Sequence, residues 1–143
     1  RSALQYLMRP PTAEVAKEAG TQATAQFLLT RYLLPLLKES SNASIVLTSS
    51  TVGRVGRAYW GAYAVSKFAT EGFMQVLAGE LENTSNIRVN SLNPRATNTG
   101  MRRTAYPAET PTDNPAPADI MPAYLYLIGN DSSEVTGKAF DAR

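Results

Sequence analysis

The run Ser44-Ile45-Val46-Leu47-Thr48-Ser49-Ser50 is a short apolar stretch with two β-branched residues at its start, set behind a polar turn at Ser41-Asn42-Ala43. Such a run reads as a strand buried on both faces, the kind found in parallel sheets. Behind it, residues 51–61 form a loop punctuated by Gly53, Gly56 and Gly61. A helix is predicted over Ala62–Glu82, with Val65, Ala69, Phe73, Val76 and Leu77 on its core face. Ile87–Leu92 gives a second strand, ended by Asn93-Pro94. Ahead of the first strand, Val15, Ala23, Phe27, Leu28, Tyr32, Leu34 and Leu37 recur at three- and four-residue spacing. They predict a helix over Ala13–Lys38, with Thr12 as N-cap and Pro35 imposing a kink or an irregular last turn. Leu4–Leu7 reads as a strand end. Residues 95–117, rich in Pro, Thr and Asn, are long enough for a mobile lid over a substrate site. A third helix follows over Asp119–Ile128, with Pro122 in its first turn, and Lys138-Ala139-Phe140 is a last strand. Alternating helices and strands imply an α/β fold with a parallel sheet.

The 143 residues suit a single domain, and 43% apolar with 18% charged residues is the composition of a packed core, not of a disordered chain. The formal charge is +2, and the arginines at 54, 57, 88, 95, 102 and 103 are scattered over different segments. No polybasic stripe forms, so nucleic acid is not an expected partner. Without cysteine or histidine this chain offers no thiol nucleophile, no serine–histidine triad and no Cys/His zinc site, and no metal is expected. No apolar run is long enough to span a membrane, residues 1–20 do not read as a signal peptide, and a cytoplasmic location is expected.

Tyr63 and Lys67, four apart on the predicted helix, share one face. An ammonium beside a phenol favours the phenolate and pulls its pKa down from about 10 toward working pH. Ser50, at the end of the first strand, supplies a hydroxyl to hold a substrate oxygen. Taken singly, Ser50 reads as a strand-end cap, and Tyr63 with Lys67 as a solvated helix pair. Together, between two buried strands, they form a proton-transfer site for carbonyl–alcohol chemistry. Trp60 reads as packing or a pocket wall, Tyr124 and Tyr126 as core and surface of the third helix, and Arg102-Arg103 as a solvated helix end. The loop glycines read as permitting turns and close packing.

These pieces in this order, from Ser44–Ser50 through Tyr63-Ala64-Val65-Ser66-Lys67 to Ile87–Pro94, resemble the short-chain dehydrogenase/reductase family. The stretch Ser49–Met74 is most similar to uncharacterised bacterial oxidoreductases of that family. The resemblance implies a Rossmann-like doubly wound parallel sheet, with residues 1–143 as its C-terminal portion and without the N-terminal βαβ cofactor half. It implies that Ser50 binds the substrate oxygen, that Tyr63 is the general acid/base, and that Lys67 tunes Tyr63 and holds the nicotinamide ribose. Asn93, Pro94 and Arg95 then lie along the nicotinamide, with Thr97 and Thr99 near the carboxamide and diphosphate. Three departures stand out. The family's Gly-rich phosphate loop is absent, Gln22 stands where the family has an asparagine that holds a relay water, and Arg95 stands where it prefers glycine.

The expected function is an NAD- or NADP-dependent oxidoreductase that interconverts a ketone or aldehyde with an alcohol, its partner a small-molecule substrate. The alternatives are a degenerate, non-enzymatic relative acting as an oligomerising domain, and a nucleotide-binding regulator without turnover. The family commonly pairs its two long helices between subunits, and Ala69, Gly72 and Gly79 are small enough to admit a partner helix, so a homodimer or homotetramer is expected. The first half of the sheet normally covers one strand edge, and the chain alone is therefore expected to be marginal in stability.

Overall fold

Side-chain alternation along the strands sorts the helices onto two faces of one sheet. The computed structural model of the chain describes residues 13–143. In this span β1 (Ser44–Thr48), β2 (Arg88–Asn93) and β3 (Ala139–Asp141) form a parallel sheet in the order β1-β2-β3. The register pairs Ser44 with Arg88, Thr48 with Leu92, and Asn93 with Asp141. The central strand β2 is buried throughout, as a parallel strand covered on both faces should be. Among the described strands β1 has a neighbour on one side only.

Odd-numbered strand residues face two long helices, α1 (Ala13–Glu39) and α2 (Gly61–Leu81). Leu47 and Val89 join Met74, Leu77, Ala78 and Leu81 in the main core, with Leu34 and Leu37 packed against it. Even-numbered residues face α4 (Pro117–Ile128): the Ser44 hydroxyl donates to the Leu127 carbonyl at 2.7 Å, and Arg88 reaches the Leu127 and Gly129 carbonyls at 3.3 and 3.1 Å. Helices on both faces of a parallel sheet make the expected doubly wound arrangement.

The elements fall within a residue or two of their expected ends. α1 continues to Glu39 with Pro35 inside it. Leu4–Leu7 and Thr12 lie outside the described residues, as does the side chain of Val15. Pro122 is a correction: α4 begins at Pro117, so Pro122 sits in its second turn. The inward face of α2 is another. Leu77 is buried and Phe73 half-buried, but Val65 and Val76 are exposed, and the face turned to the sheet carries Ser66, Lys67, Thr70, Glu71, Met74 and Leu77. α2 has two apolar sides, and spacing alone does not tell which one meets the sheet. On α1, Phe27, Leu28 and Tyr32 are likewise exposed.

Residues 95–117 fold into local structure. A short helix, α3 (Gly100–Ala105), begins at a Thr99 cap whose hydroxyl accepts the Arg102 N–H at 3.1 Å. The excursion is closed at its base by the Asn98 N–H on the Pro115 carbonyl at 2.8 Å.

Candidate active site

β1, β2 and β3 all end at one rim, and the segments leaving them enclose a cleft of about 1430 Å³. The carboxyl ends of the strands are where open α/β sheets bind ligands. Ser50 enters it from the turn after β1, in extended backbone (φ −157°), its carbonyl accepting the Gly53 N–H at 2.9 Å. Tyr63 enters from the first turn of α2. Lys67, one turn on, is buried behind it. Its Nζ lies 5.7 Å from the Tyr63 ring centroid and donates to the Thr48 carbonyl at 3.0 Å. The strand end therefore holds the ammonium on the tyrosine's side of the helix.

Gly53 makes this closeness sterically possible. A Cβ there would stand 2.7 Å from the Lys67 carbonyl oxygen and 2.9 Å from the Lys67 Cβ, so only glycine lets the turn after β1 lie flush on α2 at this point.

The other expected residues divide. Asn93, Pro94, Arg95, Thr97 and Thr99 line the cleft. Asn93 is buried and fully engaged: its amide donates to Thr51 Oγ1 at 3.0 Å and to Asp141 Oδ1 at 2.8 Å, while its Oδ1 accepts the Arg95 N–H at 3.0 Å. Arg95 sits in the left-handed region at φ 59°, the backbone that glycine adopts most freely, and its guanidinium binds Asp141 Oδ2 at 2.9 Å. Thr97 donates to the Pro94 carbonyl at 3.2 Å. Gln22 lies on α1 outside the cleft lining, its Oε1 buried without a hydrogen-bond partner among the described residues.

A polar network under the rim escaped the sequence reading. Arg54 donates to Glu71 Oε1 at 2.8 Å, to Asp141 Oδ1 at 3.0 Å and to the Phe140 carbonyl at 2.8 Å, tying the turn after β1 to α2 and to the end of β3. Burial alone would push the Glu71 carboxyl up. Hydrogen bonds from Ser91 and Arg54, with the Arg54 charge, outweigh it and hold the carboxyl below the ordinary carboxylate range. Asp141 is also held low, first by Arg95, against burial, and then by Asn93 and Arg54. Glu71 follows Lys67 by four residues, so its shared face was open to a spacing argument; Asp141 carried no such signal.

Tyr124 is half-buried, lines the cleft, and its hydroxyl pairs with Thr48 Oγ1 at 3.0 Å. Arg102 is not a solvated helix end. It grips Glu109 through two hydrogen bonds of 2.6 Å and lies 3.7 Å from the Tyr106 ring centroid. Among the described residues no group of three acidic side chains could hold a metal ion, and no helix is long and apolar enough to cross a membrane.

A family model described as short chain dehydrogenase matches residues 9–110. Over 119 residues the chain is 58% identical to an uncharacterised oxidoreductase, YciK, of Escherichia coli K12, covering 83% of this chain and 46% of the relative. A solved structure from Pseudomonas syringae superposes with a TM-score of 0.90 at 59% identity, covering 93% of this chain and 54% of that one. Another, from Escherichia coli CFT073 and solved as a complex with NADPH, gives a TM-score of 0.83 at 55% identity, covering 87% and 51%. The chain spans about half the length of the curated relatives it matches.

Proposed function

The chain belongs to the short-chain dehydrogenase family, and from that premise we propose that it is the substrate-facing half of an NAD(P)-dependent oxidoreductase acting on a ketone, aldehyde or alcohol. The observation that carries this reading is the approach of the Lys67 ammonium to the Tyr63 ring, with Tyr63 and Ser50 in one cleft. In it, Ser50 holds the substrate oxygen and Tyr63 exchanges a proton with that oxygen. Lys67, anchored on the Thr48 carbonyl, lies beside the Tyr63 ring and keeps it oriented. A positioned acid/base of this kind contributes roughly 10²–10⁴-fold in rate.

The cleft suits the nicotinamide end of a dinucleotide. It opens at the strands' carboxyl ends, the Asn93-Pro94-Arg95 turn forms one wall, and Thr97 and Thr99 carry hydroxyls along its rim. In this proposal Tyr63 faces the ribose with Lys67 behind it, and the cofactor when bound supplies the hydride. The NADPH complex of the E. coli CFT073 relative supports a nicotinamide cofactor of the phosphorylated type. A cytoplasmic location and a single functional unit over residues 1–143, with 95–117 as the substrate lid, belong to the same proposal.

The test is NADPH oxidation with a panel of carbonyl compounds by the chain and by Tyr63→Phe. The variant is expected to keep the fold and lose turnover; retained turnover removes Tyr63 from the proposed role. Gln22 and Arg95 favour a second reading, a relative that keeps the cleft as a nucleotide-binding or oligomerising domain. Saturable NADPH binding with no turnover of any carbonyl would select it.

A further inference from the structure

Trp60 is the middle ring of a row that ends at Tyr63. The Trp60 and Tyr63 ring centroids are 5.8 Å apart at 55°, and Trp60 and Tyr106 are 6.2 Å apart at 38°. These separations and tilts are those of favourable aromatic pairs. Behind Tyr106, Arg102 lies 3.7 Å from the ring centroid while its two hydrogen bonds to Glu109 hold it in place. The Tyr106 ring is thus held by Arg102 as well as by Trp60. The turn that delivers Trp60 is strained: Tyr59 adopts φ 70°, a left-handed conformation that bulky side chains rarely take and that clusters at functional sites.

Most charges around the cleft are paired with one another, and one cation, Arg57, lies on the wall itself. Arg54 pairs with Glu71 and Asp141, Arg95 with Asp141 and Arg102 with Glu109, while Arg57 lies over the Trp60 ring at 5.4 Å. Beside Tyr63 the cleft therefore presents rings with Arg57 over one of them, and Met101 and Ile120 add apolar lining.

We propose that Trp60 and Tyr106 form the specificity wall for a planar ring on the substrate, so that the carbonyl or alcohol carbon carries an aryl or unsaturated cyclic group. The proposal rests on the Ser50–Tyr63–Lys67 reading only for the position of the reacting oxygen. A ring stacked on this wall gains roughly two- to tenfold in affinity per aromatic pair over an aliphatic group of similar size.

The chain has one tryptophan, so its indole N–H gives a single resonance that reports on this wall directly. Titration with 1-phenylethanol is expected to shift that resonance saturably, whereas 2-butanol leaves it in place. Tyr106→Leu is expected to weaken the 1-phenylethanol response roughly two- to tenfold, and Tyr106→Phe to preserve it. An equal response to 2-butanol, no response to 1-phenylethanol, or an unchanged titration in a folded Tyr106→Leu variant overturns the proposal. The comparison of the two alcohols needs no variant to fold. It also reads binding without turnover, so a ring-selective shift in a chain that binds NADPH saturably and turns over no carbonyl rejects the oxidoreductase reading and leaves the ring site standing.

Discussion

Arg54 Nε donates to Glu71 Oε1 at 2.8 Å, joining the turn after β1 to the helix that carries Tyr63 and Lys67. Glu71 is buried, and its other oxygen accepts the Ser91 hydroxyl at 2.7 Å. Removing its charge leaves Arg54 with one carboxylate and Ser91 with a weaker acceptor. Glu71→Gln should cost about 2 kcal/mol, measured as a lower urea midpoint.

The same carboxylate sets an acid limit on stability. Its folded pKa lies below the ordinary value of 4.5, so its contribution is complete above that value and is lost as the pH falls through the lowered one. The acid limb of a stability–pH profile should flatten in Glu71→Gln. A profile identical to that of the parent chain would contradict the assignment.

Gly53→Ala puts a methyl group 2.7 Å from the Lys67 carbonyl, where backbone and not a flexible side chain must give way. The expected loss is about 1–3 kcal/mol of stability, with displacement of Lys67 from the Thr48 carbonyl. Backbone amide shifts centred on residue 67 would report it; a silent substitution would remove Gly53 from the account of the site.

Arg95 tests whether its left-handed backbone is balanced by its ion pair. Arg95→Gly relieves strain of about 1 kcal/mol and gives up a half-exposed pair worth up to about 1 kcal/mol, so the two nearly cancel. Arg95→Val keeps the strain, loses the pair and adds a β-branch, and should lower the urea midpoint clearly below both.

Phe27, Leu29 and Leu36 on α1 and Val65, Phe68 and Val76 on α2 are exposed large apolar side chains. Faces of this kind mark association surfaces, and we propose that the long helices pair between copies of the chain. Val65→Glu combined with Val76→Glu should move the sedimenting species toward monomer. An unchanged mass in the double variant would place any association elsewhere.

The strands and long helices were legible because they rest on local signals: β1 as an unbroken apolar run, β2 as a short stretch with Ile87, Val89 and Leu92 that Asn93-Pro94 ends, α1 and α2 as three- and four-residue repeats. Tyr63 with Lys67 was legible for the same reason, and Ser50 because a strand end fixes its place. The inward face of α2 was not, since Val65 and Val76 are as apolar as Met74 and Leu77. Asp141 and Tyr106 were out of reach for another reason. Their partners Asn93 and Trp60 are more than forty residues away in the chain, and only the closed sheet brings them together. Arg88, buried and satisfied by the carbonyls at the end of α4, left no mark in the sequence beyond an arginine inside a strand.

The outer side of β1 has one further consequence. Among the described residues no strand pairs with that edge, and a strand laid parallel along it would finish at the same rim as Ser50. Sealing the sheet and completing the mouth around Tyr63 would then be a single event, so whatever docks there would govern both the lifetime of this protein and its chemistry.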